Sequence, residues 1–202
     1  MLLLSSCTGD ETEGTEPGGT IANGGDICFE VGFAPQGGTA CAEGLQTRVE
    51  TDNGFNSFWE NGDEIGIFAV TSGQRLAASG NYIHNVKLTY DKATDKWTPS
   101  TPLYWPGSGK LDFYAYHPYD ASATDPTGII FNVKTDQSGM TSGRSNYNLS
   151  DLLTAKSTKE GGYGKGETVL LEFSHALTLV QVNIPVEGKG FGPGPDLKVT
   201  LR

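Results

Sequence analysis

Short stretches in which apolar and polar residues alternate recur along this chain, and turn-forming residues separate one stretch from the next. The first is ICFEVGF, in which one face of an extended strand would carry Ile27, Phe29, Val31 and Phe33. Alternation with a period of two is typical of a β-strand that buries one face and exposes the other. Residues 27–33 are therefore predicted to form a half-buried strand.

Similar stretches continue to the end of the chain. Their sequences are LQTRVET, EIGIFAV, YIHNVKLTY, KWT, LDFYAYHPY, GIIFNV (Gly128–Val133), DLLTA, VLLEFSH, LTLVQVNI and LKVTLR. Spacings of about 8–12 residues between short strands favour a sandwich over alternating strands and helices. The 28 glycines and 10 prolines indicate many turns. The sequence therefore predicts an all-β fold, a β-sandwich of about 7–9 mostly antiparallel strands with few or no helices.

The stretch YIHNVKLTY alternates without interruption. Its pattern predicts that one face of the strand carries Tyr82, His84, Val86, Leu88 and Tyr90. The residues between them are predicted to lie on the opposite face.

The segment YWPGSGKLDFYAYHPY, from Tyr104 to Tyr119, is dense in aromatic residues and admits two interpretations. Its rings could form a stacking platform for sugars or bases, or they could belong to a core strand. Only Asp112 interrupts the apolar character of LDFYAYHPY on either face. A strand that is apolar on both faces is usually a central, covered strand, so a core strand is the favoured interpretation.

Charge argues against nucleic acid as a partner. The formal net charge is −10, and the 14 basic residues are scattered along the chain. Such a chain repels phosphate backbones and lacks the basic stripe that nucleic-acid-binding proteins carry.

No residue pattern indicates catalysis or metal binding. His84, His117 and His175 lie far apart in sequence, and none has a second ligand at the spacing of a known metal motif. GSGK and GYGKG lack the remaining features of a phosphate loop, and no GxSxG nucleophile elbow is present. We therefore predict that the chain is not an enzyme and binds no cofactor or metal.

The amino terminus, MLLLSSC, carries a lipoprotein signature. Leu4, Ser5, Ser6 and Cys7 fit the lipobox of bacterial signal peptides, in which the cysteine is lipidated. Only Met1, Leu2 and Leu3 precede the box, which is shorter than a full signal, so an unmodified signal remnant is the alternative. Residues 8–25 are rich in Gly, Thr and acidic side chains and are predicted to be a flexible tether. Apart from this terminus, no apolar run approaches the length of about 18 residues that a membrane-spanning helix needs.

The two other cysteines are Cys28 and Cys41. In an oxidising compartment they could pair across the intervening turn. Alternatively, Cys28 is a small apolar residue that stands alone in its strand.

A set of linked motifs resembles the fimbrillin-like family of Bacteroidota. In order, the motifs are FWENGDEIGIFAV, NYIHNVKLTYD, the aromatic stretch ending YWP, LDFYAYHP, DQS, DLLTA and FSHAL. The acidic residues directly behind Cys7 also resemble the export tag of surface lipoproteins in these bacteria. The resemblance implies a fimbrial subunit with transthyretin-like (Greek-key) β-sandwich domains, lipid-anchored in the outer membrane at the cell surface.

The resemblance also implies assembly by strand exchange with other fimbrial subunits, in which a protease that cleaves after arginine releases the first strand. The matching position is Arg48, and the strand that would leave carries Ile27, Phe29, Val31 and Phe33. An ordinary solvent-facing strand arginine is the alternative interpretation of Arg48. An exposed sheet edge above an apolar cleft is the physical basis of such an exchange.

The predicted organisation is a signal remnant (1–7), a tether (8–25), an N-terminal fimbrillin-like domain (26–186), and a linker with the first strand of a missing or truncated second domain (187–202). The alternative function is a surface lipoprotein or tip adhesin that does not polymerise. It would bind a host protein or a glycan through loops such as Asp136–Ser150, although simple loop mobility also explains that polar segment.

Overall fold

In a computed structural model, the structure describes residues 25–34, 50–51, 57–157 and 159–177. Eleven strands lie within these ranges. They are β1 (Cys28–Phe33), β2 (Glu50–Thr51), β3 (Ser57–Phe58), β4 (Glu64–Thr71), β5 (Ile83–Asp91), β6 (Lys96–Pro99), β7 (Leu111–His117), β8 (Met140–Thr141), β9 (Arg144–Ser145), β10 (Leu153–Ser157) and β11 (Thr168–His175). The helical content of these residues is one short 3₁₀ turn, Asn148–Ser150.

Seven of the strands form one sheet in the order β1-β11-β10-β7-β4-β5-β6. All neighbours in this sheet are antiparallel except β1 and β11, which run parallel. Two small hairpins, β2–β3 and β8–β9, stand beside it. The predicted all-β class with mostly antiparallel strands is confirmed.

The sheet curls so that its two edges approach each other. At one end, backbone hydrogen bonds join the residues before β1 to the segment after β6: Ile27 N donates to Leu103 O (2.9 Å) and Trp105 N donates to Gly25 O (3.0 Å). At the other end, Trp59 contacts Phe33 of β1 and Trp97 of β6. One curled sheet therefore encloses the core from both sides.

The main core draws on the inner face of every strand in this sheet. Its fully buried members on the central strands are Ile65, Ile67, Leu88, Leu111, Phe113, Leu153, Val169, Leu171 and Phe173. A smaller cluster lies on the outer face of β4 and β7, where Phe68 and Tyr116 pack against Ala123. Strand β7 contributes to both clusters, so it is covered on both faces.

The interpretation of the aromatic segment as core is thereby confirmed. Trp105 is 2% exposed, and β7 has buried side chains on both of its faces. Tyr104, at 40% exposure, is the exception. The rings of this stretch stabilise the core and do not form a platform on the surface.

Two predictions about strands are wrong. Gly128–Val133 forms no strand, and Ile130 and Val133 are 80% and 53% exposed, because the segment covers the outer cluster through Ile129 only. The alternation of YIHNVKLTY also breaks. Asn85 has φ +49°, and the register shifts at this point, so Ile83 joins the main core while His84 faces Phe68 on the opposite side.

The segment Asp136–Ser150, predicted as a polar loop, is more ordered than expected. It contains the β8–β9 hairpin and the 3₁₀ turn. Within it, Asn146 Nδ2 donates a hydrogen bond to Asp136 O (2.9 Å), at the start of the segment. The predicted segment LKVTLR and residues 187–202 lie outside the described residues, and so does most of LTLVQVNI.

Candidate functional site: the edge strand and its groove

Strand β1 lies at one edge of the seven-stranded sheet and pairs there with β11. The parallel register places Phe29 beside Val169, Val31 beside Leu171 and Phe33 beside Phe173. An edge strand leaves one side of its backbone open, and its removal would expose the backbone groups of the next strand. β1 is one of the two edge strands of this sheet, with β6 at the other edge, so it can be replaced without breaking the pairing of any other two strands.

The inner face of β1 is the one predicted from the alternation. Ile27 is buried, and Phe29, Val31 and Phe33 are partly buried against the main core. Phe29 meets the ring of Phe113 edge-on, with centroids 5.7 Å apart and an interplanar angle of 86°. Full burial of one such side chain stabilises a fold by roughly 1.5–3 kcal/mol, so β1 fills an apolar groove that would be costly to leave empty.

The inner wall of this groove is made by side chains that do not belong to β1. Trp105 and Tyr163 both pack edge-on against Phe113, at centroid distances of 5.9 and 6.0 Å. Val169, Leu171 and Phe173 of β11 complete the wall and are fully buried. The groove is thus a continuous apolar surface under one strand.

A pocket at the C-terminal end of β1 receives Phe33. We call it the Phe33 pocket and define it by Trp59, Phe173 and His175. The rings of Phe33 and Trp59 are stacked, with centroids 4.9 Å apart and an angle of 20°, and the His175 ring lies 6.5 Å from Phe33 at 12°. Trp59 also packs edge-on against Phe173 at 5.3 Å. The aromatic side chain of β1 therefore lies nearly parallel to two neighbouring flat rings.

Polar contacts tie His175 to two other elements. Its Nδ1 donates to the Asp151 carboxylate (2.9–3.0 Å), and Ser57 Oγ of β3 lies 3.3 Å from its Nε2. The side chains of His175 and Asp151 are 8% and 11% exposed. The order of these contacts matches that of a serine-hydrolase triad, but the His175 side chain is buried and its ring lies 6.5 Å from that of Phe33. We interpret the contacts as a structural link between β3, the residues just before β10, and β11.

His117 lies beneath the Phe33 pocket and is fully buried. Its Nδ1 donates to Glu64 O (2.9 Å), and its ring meets Trp59 edge-on at 5.5 Å. Burial lowers the pKa of His117, and the nearby Asp63 carboxylate only partly opposes that effect. The imidazole is therefore held neutral and acts as part of the core.

The other histidine, His84, is likewise a structural residue. Its Nε2 donates to Thr124 O (2.9 Å), and its Nδ1 accepts from Asn81 Nδ2 (3.1 Å). Among the described residues, no group of three or more His, Cys, Asp or Glu side chains could hold a metal ion. No helix within those residues is long and apolar enough to cross a membrane.

The remaining predicted site residues have different outcomes. Cys7 and Arg48 lie outside the described residues, so lipidation and cleavage stay predictions. Cys28 is disulfide-bonded, which removes the alternative of an isolated cysteine, while its pairing with Cys41 stays a prediction because Cys41 is also outside those residues. The four apolar residues of the candidate strand lie on one face against the main core, as predicted, and that β1 is exchanged stays a prediction.

Trp59 was not among the predicted site residues, although it contacts both edges of the sheet. Its ring packs edge-on against Trp97 at 5.0 Å, in addition to its stack with Phe33. The available signal was its position in FWENGD, directly before a turn and within a family motif. A tryptophan in an irregular segment has no periodicity, so its burial could not be inferred from alternation.

Comparisons with known proteins show the family of this chain. The profile of the fimbrillin-like family matches residues 47–201, which is most of the chain. The chain therefore belongs to the fimbrillin-like family, and the resemblance inferred from its motifs is confirmed.

Two individual proteins are similar to this chain. A curated relative from Bacteroides ovatus, named "Putative fimbrium tip subunit Fim1C", is 29% identical over 150 residues. The alignment covers 69% of this chain and 26% of the relative, so the chain spans about a quarter of that protein's length. A crystal structure of a fimbrial protein from the same species is 24% identical, has a TM-score of 0.46, and is matched over 74% of this chain and 28% of its own.

Proposed function

We propose that this chain is a non-catalytic fimbrial subunit that is exported as a lipoprotein through Cys7 and is then, after cleavage, assembled by exchange of strand β1. The observation that carries the proposal is the position of β1. It is the parallel edge strand of the sheet, and it fills an apolar groove whose walls come from other elements. Membership of the fimbrillin-like family supports the structural role.

Cleavage after Arg48 would make β1 replaceable. The fifteen residues from Ala34 to Arg48 separate the end of β1 from the cut, so the whole strand would lie on the departing side. Cys7 and Cys41, the other two cysteines of the chain, also precede Arg48. A disulfide that Cys28 forms within the chain therefore departs with the strand and does not hold it to the remaining body.

The test uses the purified full chain, cleaved with an arginine-specific protease. A fluorescent peptide with the sequence of residues 25–34, and with serine in place of Cys28, serves as the incoming strand. We expect the peptide to bind the cleaved chain stably and to leave the intact chain unlabelled, as measured by native gel and fluorescence anisotropy.

The matched controls are the two variants Arg48→Ala and Arg75→Ala. Arg75 is exposed in the irregular connection between β4 and β5, so a protease can also reach it. Arg75→Ala should bind the peptide like the wild type, whereas Arg48→Ala should not bind it. Equal binding by Arg48→Ala and wild type would refute the assigned cleavage position, and absence of binding to any cleaved chain would refute strand exchange.

The alternative function is that of a tip subunit that contacts a host protein or a glycan. The observation in its favour is the name of the Bacteroides ovatus relative, a fimbrium tip subunit. Loop residues within Asp136–Ser150 would then make the contact. Binding of the uncleaved chain to a glycan array, lost when the β8–β9 hairpin is replaced by a Gly-Ser linker, would support this alternative.

A further inference from the structure

We propose that an incoming strand docks first at the Phe33 pocket, and that the pocket selects an aromatic side chain on that strand. This inference rests on the proposed strand exchange and adds to it the point where exchange begins and the chemistry of the partner. The partner is an extended segment with an aromatic residue near the end that arrives first.

The two ends of β1 are held in different ways. Before β1, backbone hydrogen bonds join Gly25 and Ile27 to the segment Leu103–Trp105. The residues that precede Gly25 in sequence remain covalently joined to this end of the strand. After β1, the described residues show a backbone hydrogen bond from Ala34 N to Phe173 O (2.9 Å) beside the aromatic contacts of Phe33. Cleavage after Arg48 frees only the second end, so β1 can begin to separate there.

The Phe33 pocket is built to persist when β1 leaves. Trp59 is 8% exposed, and its ring keeps edge-on contacts to Trp97, His117 and Phe173, none of which belongs to β1. The contacts of His175 with Asp151 and Ser57 hold the second flat ring in the same way. A pre-formed site loses little entropy when it accepts a ligand, which favours it as the first point of attachment.

The geometry of the pocket defines what it accepts. Phe33 lies nearly parallel to both Trp59 and His175, so the pocket suits a flat ring in this orientation. Val31 lies two residues before Phe33, and Phe29 two residues before Val31. The positions that they occupy in the groove require apolar side chains on the same face of the incoming strand. Residues between these positions face outward, as Glu30 does, and are free to be polar.

The test compares how fast variant peptides bind to the cleaved full chain. The peptide of residues 25–34, with serine at position 28, is made with Phe33→Ala, with Phe29→Ala or without further change. Each substitution removes one aromatic ring, and both rings pack in the same groove. A residue that docks first governs the association rate, whereas a residue that docks later governs mainly the dissociation rate.

We expect Phe33→Ala to slow association about tenfold, and Phe29→Ala to change it less than about twofold while speeding dissociation. Equal or greater slowing by Phe29→Ala, or unchanged association for both variants, would overturn the docking point and leave strand exchange standing. Failure of the unsubstituted peptide to bind would overturn strand exchange and this inference together.

Variants of the pocket supply a second readout. Trp59→Phe keeps a flat ring in the pocket, and Trp59→Ala removes it. With the unsubstituted peptide, Trp59→Ala should slow association about tenfold, whereas the association rate of Trp59→Phe should stay within about twofold of the wild type. Circular dichroism checks that each variant is folded. Equal association rates for the two folded variants would contradict the inference; if Trp59→Ala does not fold, the peptide comparison alone decides.

Discussion

The ring of Tyr116 on β7 lies directly over the Cα of Gly66 on β4, its partner in the antiparallel register. A Cβ at position 66 would stand 2.6 Å from Tyr116 Cζ and 2.9 Å from Asn85 Oδ1. The glycine therefore makes room for an aromatic side chain that crosses the outer face of the sheet. This pair fixes the position of the outer cluster, because Tyr116 stacks with Phe68 at 6.0 Å.

Gly66→Ala should destabilise the fold. The added methyl group has to displace the Tyr116 ring from its place beside Phe68, and overpacking of this kind costs about 1–3 kcal/mol. Urea unfolding followed by fluorescence measures the change. Gly107→Ala is the matched control, because a Cβ there has no neighbour within 4 Å, and a loss as large as that of Gly66→Ala would contradict the explanation.

Tyr116→Phe should cost about 1–2 kcal/mol, since it removes a partly buried hydrogen-bonding group. The hydroxyl donates to Asn85 Oδ1 (2.8 Å) and accepts from Asp120 N (3.2 Å), and so it joins β7 to the bulge in β5. Burial raises the pKa of Tyr116 to about 12, so the donor is present at neutral pH. Thermal unfolding at pH 7 tests the prediction, and the double variant with Asn85→Ala should lose less than the sum of the two single losses.

Stability should fall as the pH drops from 7 toward 5, in part because of His117. Burial depresses the folded-state pKa of this imidazole below its unfolded value near 6.5, so the unfolded chain binds the proton first. The stabilisation is complete above the unfolded pKa and is lost progressively as the pH falls, with a slope of at most about 1.4 kcal/mol per pH unit. The charged groups that act on the ring are Asp63, Arg144 and Asp151.

The variant His117→Asn tests this effect, because its amide can still donate to Glu64 O while it cannot take up a proton in this pH range. The free energy of unfolding, measured in urea at pH 7, 6 and 5, should depend less on pH in the variant than in the wild type. An identical pH dependence in both proteins would show that His117 has no part in it.

Removal of the Asp63 side chain should lower the free energy of unfolding more than removal of the side chain of its partner Arg144. The Asp63 carboxylate accepts from Glu60 N (2.8 Å) in the turn before β4 and lies 3.3 Å from Arg144 Nη2. Asp63→Ala removes both contacts and should cost about 2 kcal/mol, whereas Arg144→Ala should cost about 1 kcal/mol. Chemical unfolding of both variants measures the difference. The control Lys92→Ala breaks a more exposed pair with Glu60 and should change stability by less than about 1 kcal/mol.

Local patterns predicted strands well where residues close in sequence determine the structure. Strands β4, β6 and the buried strand β7 each correspond to a predicted stretch, EIGIFAV, KWT and LDFYAYHPY. Gly128–Val133 shows the opposite case. Its β-branched residues favour a strand, but no neighbouring strand pairs with it in the described part of the chain, and propensity alone does not supply a partner.

The candidate site was predictable only in part. The alternation of residues 27–33 identified the apolar face of β1, because that pattern is local. The parallel partner β11 and the Trp59 stack depend on contacts between distant parts of the chain, and a single sequence does not encode these as a pattern. The bulge at Asn85 likewise arises from pairing with β4, so the face of His84 could not be inferred from alternation.

The pairing of β1 with β11 sets an order for folding during synthesis. Cys28 and Thr168 are partners although 140 positions (168 minus 28) separate them. Of the described strands, β1 is synthesised first, and its apolar face stays uncovered until β11, the last of them, has been made. A chain with this topology would benefit from a chaperone during synthesis, and its slowest folding step should be the closure of the sheet at β1.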